Sequence, residues 1–355
     1  MSRFQRFPTA SAQRILLCRC AALLIAVVTV SLLLAMSGRN VGELARLVLM
    51  STIGSRFGLE DLALFMSPLL LTGSAVTVTR RMGLWNIGGE GQFYLGAAGA
   101  AGVGLFIHGP AILILPLMAL VAMLCGMLWI LLPALARAFA NVNEIITTLL
   151  LNFVASLLVY WLATGPWRDR VTGALASTER LPVSIPDLWG VVHWGFPVAL
   201  LIVGGLALIM SSTRWGYEVR ISGASAGMAR YAGMPVKVRI ISAMLLSGAL
   251  AALAGMFEVA GTVHRLQGGM ADNFGYLGIV VAVLARGSCL AVIPAAFLMA
   301  LILDVGIVLQ TQQIAATVVL AITGLVLLLV AIADECAHYR VVAPATTGRT
   351  ARSAS

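Results

Sequence analysis

The sequence predicts an all-α, polytopic integral membrane protein of about ten transmembrane helices, some of them short or broken. Three observations carry this. Of the 355 residues, 60% are hydrophobic and only 10% are charged, whereas an average soluble domain carries about 25% charged residues. Seven runs (20–38, 62–79, 91–136, 145–167, 188–213, 240–257 and 305–333) contain no Asp, Glu, Lys or Arg. In a bilayer every backbone N–H and C=O must be paired within the chain, so such runs form helices. No stretch of about ten residues alternates apolar and polar side chains, which disfavours a membrane barrel.

The runs place spans near 17–37, 61–79, 86–107, 111–136, 143–164, 193–212, 240–262, 274–286, 288–304 and 313–333. The run 91–136 has room for two spans of about 20 residues each. The eighth and ninth spans are short and read as half-helices or a re-entrant pair. Between the first two spans, Val41, Leu44, Leu47 and Val48 mark a short amphipathic helix. Ala35-Met36-Ser37 has a faint likeness to a signal-peptidase site. The long Arg-bearing region before the first apolar run favours a retained span instead.

Arginines set the orientation. With the N-terminus inside, Arg80, Arg81, Arg137, the 213–239 loop, Arg286 and the C-terminal Arg340, Arg349 and Arg352 all fall on the cytoplasmic side. Arg39, Arg46 and Arg56 fall outside, against the rule. The expected organisation is a cytoplasmic segment 1–16, a transmembrane domain 17–333 and a disordered cytoplasmic tail 334–355. The 213–239 loop is then cytoplasmic and the 165–192 loop extracytoplasmic.

Much chemistry is excluded. The chain has one lysine, Lys237, in the context PVKVR. A phosphate-cradling Gly-Lys-Ser/Thr loop cannot be built from it, so the chain carries no Walker-type ATPase. The four histidines are isolated, and no metal-ligand spacing or Gly-x-Ser-x-Gly elbow occurs. The five cysteines include no Cys-x-x-Cys and read as small apolar residues. The net charge of +9 lacks the basic, aromatic-interleaved stretch of a nucleic-acid surface.

What remains is polar residues at membrane depth, where they are costly and often mark a pathway. The first set is GLWNIGGEGQFYLGAAGA, 83–100, with Asn86, Glu90 and Gln92. Irregular backbone at this depth survives only when buried in protein or lining a cavity. These side chains therefore either satisfy freed backbone groups or face a channel. Gly88, Gln92, Gly96, Ala100 and Gly104 then recur every four residues, a stripe for close helix packing. The second set is Asn141, Glu144, Thr148, Asn152, Ser156 and Tyr160, widened by Asn143 and Thr147. It is one polar stripe along a span, either lining a path or bonding helices together. The third set is Glu258, led by Ser247, Ala251 and Gly255, and Asp304, each ending a span. The fourth is the 213–239 loop, rich in Arg, where Ser225 caps a short helix Ala226–Tyr231 that Gly233 and Pro235 stop.

Five ordered stretches resemble one family: GLWNIGGEGQFYLGAAGA (83–100), NEIITTLLLNFVA (143–155), GYEVRISGASAGMARYAGMPVKVR (216–239), SGALAALAGMFEVAG (247–261) and GYLGIVVAVLARG (275–287). They resemble the integral-membrane permease subunits of bacterial ABC importers for simple sugars and nucleosides, closest to the nucleoside-type branch. The chain departs from that pattern at Gly223-Ala224-Ser225-Ala226, where Gly-x-Asn-Pro is usual. It departs again at Ala285-Arg286-Gly287-Ser288-Cys289, which lacks a proline, and at Asp304, where a small residue is usual.

The resemblance implies a transporter subunit rather than an enzyme, with no cofactor on this chain. ATP and Mg are then handled by a separate ABC ATPase subunit. An extracytoplasmic solute-binding protein delivers the solute, and a second permease, or a second copy, completes the pore in the bacterial inner membrane. On this reading Asn86, Glu90, Gln92, Asn143, Glu144, Thr148 and Asn152 form the substrate path or its support. Gly223, Arg230, Tyr231, Gly233 and Pro235 couple the permease to the ATPase. A proton-coupled secondary transporter using Glu90, Glu144 or Glu258 is the alternative.

Overall fold

A computed structural model describes residues 3–6, 11–171, 173, 176–270 and 273–342. Its elements begin with strand β1 (Arg3–Arg6), followed by α1 (Ala12–Met36), α2 (Val41–Thr52), α3 (Arg56–Arg81), α4 (Gly89–Phe106), α5 (Ala111–Ala140) and α6 (Glu144–Thr164). A small hairpin of β2 (Asp187–Trp189) and β3 (Val192–His193) leads into α7 (Gly195–Ser212), α8 (Arg214–Ala224), α9 (Ala226–Tyr231) and α10 (Val236–Phe257). One π turn, Glu258–Thr262, extends α10. Then come α11 (Phe274–Leu284), α12 (Val292–Thr311), α13 (Ala316–Cys336) and strand β4 (Tyr339–Val342).

Among the described residues, eight helices (α1, α3, α5, α6, α7, α10, α12 and α13) are long and apolar enough to cross a membrane. Helices α4 and α11 occupy the other two positions that the sequence predicts. The first of these opens with Glu90 and Gln92, and the second has only 11 residues. At 1.5 Å per residue, α11 spans roughly 16 Å, half of a hydrocarbon core. It is the half-helix expected at 274–286. The ninth span is not short: α12 has 20 residues. Asp304 lies inside that helix, buried, rather than at its end. Reading the charge as a boundary misplaced the break, because one shielded carboxyl does not interrupt a run of Ile, Leu, Val and Gly.

The chain divides into two compact units. One comprises Ser51–Asp304. Its centre is α3 and α10, whose apolar windows are 89% and 72% buried, while those of α5, α6 and α7 are only 22%, 22% and 28% buried. Helix α10 is closely covered on its α4 side because small residues line the contact. A Cβ on Gly96 of α4 would stand 2.1 Å from the Ala252 carbonyl oxygen of α10, and one on Gly255 would stand 2.0 Å from that of Phe93. The small-residue stripes on α4 and α10 therefore bring two backbones into contact, as close helix packing in membranes requires.

The other unit comprises Met1–Met50 and Val305–Ser355. Within it α1 lies along α13, tied by Arg19 Nε to Asp334 at 2.6 Å. Leu34, Leu309, Ile314 and Val319 form its buried cluster, flanked by Val41, Leu44 and Val48 of α2. The amphipathic helix expected near 41–48 is thus present. The 334–355 region is not uniformly irregular. Helix α13 continues to Cys336, and β4 pairs antiparallel with β1, Arg6 opposite Tyr339. Residues 343–355, the core of the expected disordered tail, lie outside the described residues.

In the 165–192 region the β2–β3 hairpin was not anticipated. It is pinned to the start of α3 by Glu60, whose carboxylate accepts the Val191 N–H at 3.3 Å and pairs with Arg56 at 2.7 Å.

Candidate functional site

Helix α3 stops at a glycine with a left-handed backbone. Gly83 has φ +74°, and the Leu84 N–H returns to the Thr79 carbonyl at 3.0 Å while the Gly83 N–H bonds that of Arg80. This is a Schellman ending. The chain then runs without helix from Leu84 to Gly88 before α4 begins. Such a stretch frees backbone donors that no water in the bilayer core can satisfy.

The polar stripe on α6 satisfies them. The Trp85 N–H donates to Glu144 Oε1 at 3.2 Å and the Ile87 N–H to Thr148 Oγ1 at 3.3 Å. Asn152 works on both sides: Oδ1 accepts the Gly91 N–H at 2.9 Å, and Nδ2 donates to the Ile87 carbonyl at 2.8 Å. The same amide reaches the Tyr276 hydroxyl at 3.2 Å. Within the stretch, Asn86 Oδ1 accepts the Gly88 N–H at 2.9 Å. Asn86 and Gln92 form a reciprocal amide pair at 2.8 and 3.1 Å, and Asn86 also donates to Ser247 Oγ on α10 at 2.8 Å. Asn86, Gln92, Thr148 and Asn152 are each at most 2% exposed.

Glu90 faces α11. Its Oε2 accepts the Gly275 N–H at 2.8 Å, in the first turn of that helix. The positive end of the helix dipole favours a carboxylate there. A Cβ on Gly275 would stand 2.1 Å from Glu90 N. Helices α4 and α11 therefore start against each other, backbone to backbone. Arg80 holds the other end of α11, donating to the Ala282 carbonyl at 2.7 Å. Arg81 bonds the Gly287 carbonyl.

The structure brings Asn86, Glu90, Gln92, Glu144, Thr148 and Asn152 together as one buried network. Glu144 also pairs with Arg137 at 3.2 Å. Asn143 stands apart: it is exposed and caps α6, accepting from Ile145 N at 2.9 Å. The stripe predicted to run from 141 to 160 is shorter than its spacing implied. Asn141 and Tyr160 are exposed, and beyond Asn152 the buried positions are Ala155, Val159 and Ala163. Steps of four residues drift around a helix of 3.6 residues per turn, so the stripe leaves the buried face after two turns. Sequence reasoning missed Tyr276 and Arg80. Only the tertiary fold places a hydroxyl of α11 beside Asn152.

The 213–239 loop folds as two short helices. Thr213 caps α8, and Ser225 caps α9 through Met228 N at 3.3 Å. Gly233, φ +74°, turns the chain after α9, and Pro235 precedes α10. Glu218 on α8 is clamped by Arg239 of α10 at 2.6 Å and by Arg214 at 2.7 Å. Both arginines hold its carboxyl below the ordinary value of 4.5, the Arg239 hydrogen bond most strongly. Arg230 is exposed and Tyr231 is 97% exposed. Gly223 instead faces inward, where a Cβ would meet the Arg81 carbonyl oxygen at 2.2 Å.

Interrupted helices, a half-helix and a polar network sealed inside an apolar bundle define a membrane permease. Residues 58–331 match the family described as the branched-chain amino acid transport system / permease component. The chain belongs to that family. It is 36% identical over 305 residues to the glucose ABC transporter permease protein TsgB13 of Haloferax volcanii, covering 82% of this chain and 80% of the relative. It is 34% identical to the guanosine ABC transporter permease protein NupP of Bacillus subtilis (66% and 69% covered). The nucleoside ABC transporter permease protein NupB of Lactococcus lactis is 26% identical (70% and 72%).

Proposed function

We propose that this chain forms the translocation path of an ATP-driven importer for a small polar solute, a nucleoside or a simple sugar. It works with a separate ABC ATPase subunit that binds ATP and Mg, with a second permease or a second copy of itself, and with an extracytoplasmic solute-binding protein. It lies in the cytoplasmic membrane with both termini inside. The observation that carries the reading is the exposed helix α9 with Arg230 and Tyr231, joined through Gly223 to the turn that opens the polar network. An exposed aromatic–arginine pair is the usual chemistry of a protein contact. Behind it, amide and hydroxyl groups outnumber charges, which suits a neutral polar solute.

Alternating access follows if the ATP cycle shifts the population between two arrangements of α4 and α11 around their shared start. Proton coupling through Glu90 or Glu144 gains no support, since both carboxylates hold backbone N–H groups in place. Arg230→Ala with Tyr231→Ala is expected to abolish co-purification of the proposed ABC ATPase subunit, and to abolish uptake of radiolabelled nucleoside or glucose. Undiminished co-purification and uptake would refute the assignment.

A further inference from the structure

A cleft of about 730 Å³ opens where the C-terminal end of α5 meets α9 and the start of α10. Arg137, Arg230 and Lys237 line it together with Phe139, Asn141 and Val238, and no Asp or Glu is among its lining side chains. Arg137 is already engaged, by Glu144 at 3.2 Å and Asn141 at 3.0 Å. Arg230 and Lys237 are exposed, and the Lys237 ammonium stands 4.9 Å above the Phe139 ring. The first turn of α10, which has no side-chain cap, forms part of the wall.

An apolar stripe leads into this cleft. Leu128, Leu132, Leu135 and Phe139 follow one another on the exposed face of α5 at 68%, 68%, 38% and 65% exposure. That face belongs to a helix apolar enough to span the membrane, and its exposed leucines suit acyl chains. Val238, 54% exposed, continues the apolar surface on α10. A basic hollow at the end of a lipid-facing stripe matches an amphiphile with an anionic head and a hydrocarbon tail, and basic pockets between helix ends bind such headgroups.

We infer that this cleft is a binding site for the phosphate headgroup of an anionic phospholipid, with an acyl chain lying along the α5 stripe. Lys237 and Arg230 supply the charge for the phosphate. Phe139 divides the head region from the tail region and positions the Lys237 ammonium. The site rests on the membrane location of the chain and shares Arg230 with the proposed ATPase contact, so it is probed in the chain without that subunit.

The test uses the full chain, purified without partners and reconstituted in nanodiscs of phosphatidylglycerol or phosphatidylcholine, with native mass spectrometry reading retained lipid. Wild type should retain phosphatidylglycerol and not phosphatidylcholine. Lys237→Gln with Arg230→Gln should lower that retention about tenfold or more, since each basic charge near a headgroup contributes about 1 kcal/mol. Lys237→Arg, which keeps the charge, should retain it and so separates lost binding from misfolding. Equal retention of both lipids, or unchanged phosphatidylglycerol in the double Gln variant, would overturn the site. Displacement of the lipid by millimolar inorganic phosphate alone would also overturn it, by showing a free-anion site without tail recognition.

Discussion

The Glu90 carboxylate accepts the backbone N–H of Gly275 at 2.8 Å. This bond joins the first turn of α4 to the first turn of α11, two helices that both begin inside the bundle. It gives a buried acid a task, accepting a backbone hydrogen bond, that needs no proton transfer. It also makes the relative position of the two helix starts depend on one side chain.

Glu90→Ala removes the acceptor and leaves a buried N–H without that partner, at a cost of about 1–3 kcal/mol. Glu90→Gln keeps an acceptor oxygen and loses only the charge at the helix terminus. The expected order of thermal unfolding temperature in detergent is wild type, then Gln, then Ala, with uptake following the same order. An Ala variant as stable as wild type would show that the bond contributes nothing.

Gly275 has no room for a methyl group, because its Cβ would stand 2.1 Å from Glu90 N and 2.4 Å from Glu90 Cα. Both are backbone atoms that move only if α4 and α11 separate. Gly204 on α7 has nothing within 4 Å of its Cβ position. Gly275→Ala should therefore sharply lower the folded fraction seen by size-exclusion chromatography. Gly204→Ala should be neutral or stabilise by up to about 1 kcal/mol through helix propensity. Equal behaviour of the two variants would contradict the close approach.

The helix count and the polar sets were legible in the sequence because hydropathy and composition report them directly. The α9 cap at Ser225 and its stop at Gly233 were legible for a similar reason: capping is a local matter of a few residues. The role of the α6 stripe was only half legible. Periodicity shows that Glu144, Thr148 and Asn152 share a face, but not that they face the bare N–H groups of Trp85, Ile87 and Gly91. The Glu90–Gly275 bond joins positions far apart in the chain, and nothing local marks it. Asp304 misled because a single carboxyl was read as a boundary. The β2–β3 hairpin was missed because its strands are two and three residues long and carry no period.

Asn152 satisfies a donor at Gly91 and an acceptor at Ile87 with one amide. Asn152→Leu fills the space and loses both bonds, so folded yield and uptake should fall together. Asn152→Asp keeps the acceptor for Gly91 and loses the donor to Ile87, placing two oxygens together. It should be at least as damaging as Leu if the Ile87 bond matters. Normal uptake by the Leu variant would return this position to simple packing.

Glu218 ties α8 to α10 through Arg239, and its folded pKa lies below the ordinary 4.5. A depressed carboxyl contributes its stability in full above its unfolded value and loses it as pH falls through the folded one. Stability from this clamp should thus be flat around neutrality and decline only in acid. Glu218→Gln should lower the unfolding temperature at neutral pH, and the gap from wild type should close as pH is taken below 4.5. A gap that persists undiminished in strong acid would exclude the charge as its source.

Gly223 links the loop bearing α9 to the polar network. A Cβ there would meet the Arg81 carbonyl oxygen at 2.2 Å and Met82 C at 2.8 Å, while Gly83, across the same contact, opens the Schellman turn into Leu84–Gly88. Gly223→Ala must push the end of α8 away from this turn, because backbone lies on both sides. Arg230 and Tyr231 stay exposed on α9, so the contact proposed for them is kept. The expected result is an ATPase subunit that still co-purifies but drives uptake about tenfold or more weakly, in line with about 1–3 kcal/mol of overpacking at a tight contact. Wild-type uptake in this variant would show that force does not pass through the Gly223–Met82 contact. Loss of the ATPase subunit together with the folded fraction would show that the contact serves only to assemble the loop.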